Sequence, residues 1–367
     1  MIDQRLEKLA DILVNYSLKI QPGDWVAVNG DIVAEPLMVE VMHAITKAGG
    51  HATMIMGSDA LTESFMREAS EEQLGWVSPV ADLVYNKVDA LMTIWGTSNT
   101  RSLTNIDPKK DQIRAVAHSE LTKIYMNRIA NKEMRWVGTQ FPCAAFAQEA
   151  DMSLSDYEDF VFGTTFADKD DPIVEWNRIH DEQQVIVNWL KGKKTVTVKS
   201  PNADITLSIA GRDFINADGT QNMPSGEVYT SPVEDSANGW VNFTYPAIRA
   251  GREVEGVRLE FKDGKVVAAS AEKNEAYLLS QLDSDEGARY LGEFAIGTNF
   301  GITKFTKSIL YDEKIGGSFH MAVGAGFPEV GGTNTSSIHW DFICDIQKDS
   351  EIQVDGELLY KDGQFKI

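Results

Sequence analysis

The feature that most constrains this chain is a change of texture between about residues 165 and 195. Before it, short apolar runs of strand length alternate with stretches of helical period; after it, apolar and polar residues alternate one by one between Asp-Gly turns. In the first part, Leu6, Leu9, Leu13 and Tyr16 share one face of a helix predicted over residues 3–18. Trp25 to Val28 reads as a buried strand ending at Asn29-Gly30. A helix follows from about Glu35 to Ala48, closed by Gly49-Gly50, and Thr53 to Met56 is the next strand, closed by Gly57. The pattern recurs with a helix near 71–85, a strand at Ala90 to Trp95, a helix near 108–127 and a strand at Arg135 to Gln140. Such alternation predicts an α/β N-terminal domain with a mostly parallel sheet covered on both faces.

The acidic run Asp168 to Pro172 reads as a solvated connection, and Ile173, Trp176, Ile179, Ile186 and Trp189 place one more helix over 173–191. Beyond it, Lys194 to Lys199 alternates as a half-buried strand does. Val257 to Val267 and Leu358 to Lys366 each read as a hairpin around an Asp-Gly turn. With 367 residues, the chain exceeds one ordinary core. The expected division is an α/β domain over 1–180 and a β-rich α+β domain over 181–367. No repeat or low-complexity segment interrupts it.

Acidic residues number 55 against 34 basic, a net charge of −21. A chain so charged repels phosphate backbones and anionic membranes, so neither nucleic acid nor a membrane is an expected partner. The same charge suits metal ions or substrates with a protonated amine, and equally suits plain solubility. The N-terminus lacks a signal-peptide layout, no run approaches a transmembrane span, and Cys143 and Cys344 have no CxxC partner. A cytoplasmic protein with reduced thiols is expected. There is no GxxxxGK[ST], no GxGxxG follows a first strand, and Gly324-Ala-Gly326 lies in the wrong half for one.

Chemistry concentrates near the C-terminus. In His339-Trp340-Asp341, a histidine and an aspartate at i and i+2 point to one face of a strand, presenting an imidazole and a carboxylate to a single point. His320 lies nineteen residues earlier, and Gly226-Glu227, Gly292-Glu293 and Asp312-Glu313 supply further carboxylates. Each glutamate alone reads equally as a solvated surface group. Together they are more ligands than one mononuclear site uses, which suggests two ions. His43, His51, His118 and His180 fall outside any such grouping and read as structural or surface residues.

Four segments in this order are similar to the thermophilic-type metallo-aminopeptidases, the group of aminopeptidase T, AmpS and PepS. They are Asn222-Met-Pro-Ser-Gly-Glu-Val-Tyr-Thr-Ser-Pro232, Tyr290-Leu-Gly-Glu-Phe-Ala295, Asp312-Glu313 with Ser318-Phe-His-Met-Ala-Val-Gly324, and Ser337-Ile-His-Trp-Asp341. The resemblance implies a metal-dependent aminopeptidase and a two-ion site of zinc, cobalt or manganese type. Its ligands are Glu227, Glu293, Glu313, His320, His339 and Asp341. Glu313 departs from the family in its spacing to the next histidine. The resemblance also makes Glu293 the bridge between the ions and the acceptor of the water's proton. It implies peptide substrates with a free N-terminus and a homodimer. Where the family carries a tyrosine whose hydroxyl supports the tetrahedral intermediate, this chain has Phe327, and one oxyanion donor is missing there. The loop from His320 to His339 is also shorter than in the best-known members.

Met321, Phe327 and Trp340 are expected to line an apolar pocket for the first residue of the peptide. A rival reading takes His320, His339 and Asp341 alone as the two-histidine, one-carboxylate set of a mononuclear non-haem iron enzyme, since a ring-cleaving dihydroxypyridine dioxygenase group is similar to the same family. A weakly active metal-binding homologue is the third.

Overall fold

The computed structural model describes residues 3–249 and 251–367. The chain divides into two compact units. The first runs up to Glu175 and takes back Gly219–Pro224; the second holds Trp176–Asp218 and Ser225–Ile367.

In the first unit, five strands form a sheet in the order His51–Gly57, Trp25–Asp31, Ala90–Trp95, Arg135–Gln140 and Asn222–Met223, every neighbouring pair parallel. Connections between parallel strands must cross over the sheet, and helices such as Glu35–Lys47 and Pro108–Ala130 make them. The helix expected near 71–85 is two, Glu71–Leu74 and Pro79–Lys87. Pro79 has no N–H to continue a helix but is suited to start one, and Ser78 caps it by accepting from the Val80 N–H. The helix expected over 3–18 is α-helical only through Asp11 and continues as a π-helix over Ile12–Ser17. Helices at Asp59–Glu68, Ala144–Glu149 and Leu154–Thr164 add to those that periodicity predicts. No described helix is long and apolar enough to cross a membrane.

The second unit carries an eight-stranded antiparallel sheet and a five-stranded one. Both expected hairpins belong to the larger sheet. Their turns place Asp263 and Gly264 at φ 48° and 80°, and Asp362 and Gly363 at 47° and 82°, the paired left-handed conformation that Asp-Gly favours. The smaller sheet runs in the order His339–Asp345, Ser318–Gly324, Leu291–Gly297, Glu227–Thr230 and Ile215–Ala217, antiparallel throughout. One apolar core serves both sheets. Phe294, Ile296, Phe319, Met321, Val323, Trp340 and Phe342 of the smaller sheet share it with Val198, Ile205, Leu259 and Val354 of the larger. Since strand residues alternate between faces, the remaining positions of the smaller sheet form its other face.

Candidate metal centre

Cross-strand register fixes what lies on that other face. Ala295 is opposite His320 and Tyr229, Gly297 is opposite Glu227, Ala322 is opposite Glu293 and Asp341, and Gly324 is opposite His339. Paired residues share a face, so Glu227, Tyr229, Glu293, His320, His339 and Asp341 all project from one side. Small residues at 295, 297, 322 and 324 leave room between them. Met321 and Trp340 therefore cannot line this site. They neighbour His320 and His339 along their strands, point the opposite way, and are 1% and 3% exposed in the core. Of the expected apolar lining only Phe327 remains, its ring centroid 5.2 Å from that of His339.

Glu293 reaches the polar face through a bulge. Leu291 is opposite Val323 on the core side, yet Glu293, two residues later, is opposite Ala322 on the polar side. Gly292 is the extra residue that inverts the alternation. It must be glycine, because a Cβ there would stand 1.9 Å from the Ala325 carbonyl oxygen. Glu227 opens its strand directly after Gly226, held at φ 125° against Asn299. Glu313 follows the short helix Ile309–Asp312. Its neighbour Asp312 instead accepts from the Thr306 N–H and Oγ, 2.7 and 2.9 Å away, so only Glu313 of this pair faces the cluster.

The two oxygens of Glu293 face different histidines. Oε2 lies 3.2 Å from His339 Nε2, and Oε1 lies 3.6 Å from His320 Nε2. His320 Nε2 is also 3.5 Å from Glu227 Oε2, and His339 Nε2 is 3.4 Å from Asp341 Oδ1. Three sets of side chains each bring ligand atoms within 4.8 Å of one another: Glu227, Glu293 and His320; Glu293, His339 and Asp341; Glu313, His320 and Asp341. Two ligand atoms each about 2.1 Å from a tetrahedral ion are separated by about 3.4 Å, so these spacings suit intermediate divalent cations. Glu227 Oε2, Asp341 Oδ1 and both ring nitrogens of His320 are buried without hydrogen-bond partners. Such orphans carry a desolvation cost that a cation would relieve. The His339 Nδ1–H donates to the Ala325 carbonyl at 2.8 Å, which turns Nε2 toward the carboxylates.

Sequence reasoning misses Lys314. Its side chain is wholly buried, with Nζ against Glu313 Oε1 and 3.6 Å from Glu227 Oε1. One ammonium does not balance the carboxylates of Glu227, Glu293, Glu313 and Asp341, and the surplus draws protons onto the neighbouring imidazoles and carboxyls. Burial opposes charge on His320 and His339, but the surrounding carboxylates outweigh it and raise them to about 10 and about 11. Burial would raise Glu293 as well, yet the two rings hold its carboxyl down at about 2. Burial wins at Glu227 and Glu313, whose carboxyls are pushed up. Glu293 thus stays ionised, the form in which a carboxylate binds a cation. The cluster opens at one end, since the His339 side chain is 30% exposed and that of His320 only 1%.

In the sequence, Tyr229 stands out only as part of a motif. Its ring centroid lies 5.1 Å from that of Phe327, on the same face as the carboxylates. Burial, with Glu227 and Glu293 next in order, raises its phenol above the ordinary value. None of the other four histidines belongs to these three sets; His180 pairs with Asp218 at 2.7 Å.

Residues 2–365 match the model of the family described as thermophilic metalloprotease (M29), and the chain belongs to that family. Aminopeptidase 2 of Geobacillus stearothermophilus is 28% identical, covering 99% of this chain and 95% of the relative. Aminopeptidase T of Thermus thermophilus is 26% identical, over 98% and 96% of the two chains. Aminopeptidase AmpS of Bacillus subtilis is 24% identical, over 99% and 98%. The solved structure of wild-type AmpT from Thermus thermophilus superposes with a TM-score of 0.87 over the full length of both chains at 23% identity, a likeness of fold.

Proposed function

We propose that this chain is a metal-dependent aminopeptidase that removes N-terminal residues from peptides. Two divalent cations would sit in seats joined by Glu293. Glu227 and His320 would complete one seat, His339 and Asp341 the other, with Glu313 beside His320 and Asp341. The observation that carries this reading is the two-sided Glu293, one oxygen toward each histidine. When bound, such ions supply an acidified water and an electrophilic partner for the scissile carbonyl.

The protein's own groups do the rest. A carboxylate oxygen of the cluster that the ions leave free would accept the substrate's ammonium group, which favours a free N-terminus. The sheet holds its ligands on one face, so little reorganisation is needed as charge develops. As the C–N bond breaks, the proton of the attacking water passes to a cluster carboxylate and then to the leaving amine. Zinc, cobalt or manganese all suit this mixture of imidazole and carboxylate. A mononuclear iron site on His320, His339 and Asp341 would leave Glu227 and Glu293 without a task, so hydrolysis is the better-supported reading. The proposal extends to a cytoplasmic homodimer.

The test is a panel of aminoacyl anilides and short peptides, each with a free and an acetylated N-terminus, offered to metal-loaded protein. The free forms should be shortened from the N-terminus and the acetylated forms should resist. Equal cleavage of both, or of neither, contradicts the proposal.

A further inference from the structure

We infer that Tyr229 supplies the hydrogen bond to the developing oxyanion that Phe327 cannot give; this rests on the peptidase reading above. Phe327 sits at the open end of the cluster, its ring on that of His339, where an incoming carbonyl would arrive. A phenylalanine there offers shape and no donor. The ring packed against it from the other strand is Tyr229, which does carry a hydroxyl.

Three observations direct that hydroxyl toward the reacting carbonyl. Tyr229 lies opposite Ala295, on the face that carries every ligand of the sheet. Ala295 is small and also lies opposite His320, so the side chains of Tyr229 and His320 flank one alanine on the same face. Among the described residues, the Tyr229 hydroxyl has no hydrogen-bond partner, whereas partly buried phenols ordinarily find one. A phenol remains protonated at neutral pH and is a ready donor.

The backbone holds this pair of rings in place. Ser231, two residues after Tyr229, donates from Oγ to the Gly292 carbonyl at 2.6 Å and accepts the Phe327 N–H at 2.7 Å. One hydroxyl thus ties the Tyr229 strand, the bulge that aims Glu293 and the loop that carries Phe327. Gly332 and Gly326 pack against the same oxygen, since a Cβ on either would approach Ser231 Oγ to 2.6 and 3.1 Å.

Tyr229→Phe removes only the hydroxyl. We expect kcat on an aminoacyl anilide to fall by about 10²–10³, the cost of losing one oxyanion donor, with KM and bound metal per chain unchanged. Phe327→Tyr added to that variant should recover about tenfold or more of the loss, which a merely structural role for Tyr229 would not allow. A Tyr229→Phe enzyme within about twofold of the parent overturns the inference. A phosphinic pseudodipeptide, whose tetrahedral oxyanion mimics the intermediate, separates this inference from the peptidase reading. If the parent protein cleaves no anilide but Tyr229→Phe weakens phosphinate binding, the peptidase reading fails and the Tyr229 hydroxyl is a donor to bound tetrahedral anions only. No turnover together with equal phosphinate affinity refutes both.

Discussion

Among single residues, the histidines set the terms on which metal enters. His320 and His339 are raised to about 10 and about 11 by the carboxylates around them, against about 6.5 in an unfolded chain. The folded value lies above the unfolded one. Their contribution to stability in the metal-free protein is therefore complete below about pH 6.5 and is lost as pH climbs through the folded values. A cation binds neutral imidazole and ionised carboxylate, so loading near neutral pH must expel both ring protons and any that Glu227 or Glu313 holds, at least two per chain. Calorimetry in buffers of different ionisation enthalpy counts them. Release near zero would mean that the rings are already neutral and that the carboxylates do not charge them. Lys314 belongs to the same balance. No motif marks it, because its significance lies in where burial puts an ammonium and not in its type.

Between elements, the site depends on the shift of register at Gly292. Substituting alanine would drive a Cβ to 1.9 Å from the Ala325 oxygen and 2.5 Å from its carbonyl carbon, both backbone atoms that cannot step aside alone. Gly292→Ala should lower stability by about 1–3 kcal/mol and reduce bound metal, because the strand shift turns Glu293 away from the histidines. Thermal unfolding and elemental analysis check both halves, and an unchanged melting point with full metal would show that the bulge does not aim Glu293. The same strand marks the limit of what a sequence discloses. Trp25–Asp31, Ala90–Trp95 and the two Asp-Gly hairpins are legible because their signals are local. The spacing of His339 and Asp341 correctly implies a shared strand face. The same alternation sends Trp340 and Met321 into the core, a consequence that the apolar-pocket expectation overlooks. A bulge is a property of two paired strands, so no pattern within Leu291–Gly297 reveals it. The Tyr229 and Phe327 rings likewise meet only through pairing and loop closure.

At the scale of the whole molecule, the chain comprises a parallel α/β unit and a β-rich unit whose smaller sheet presents core on one face and the carboxylate and imidazole cluster on the other. Family membership, over residues 2–365, covers both. The proposed chemistry turns on Glu293 joining two cation seats, and metal stoichiometry is the decisive measurement. Protein stripped by chelation and titrated with zinc or cobalt should saturate at two ions per chain, and Glu293→Ala should lose at least one. Saturation of the parent protein at a single ion would show that Glu293 joins no second seat.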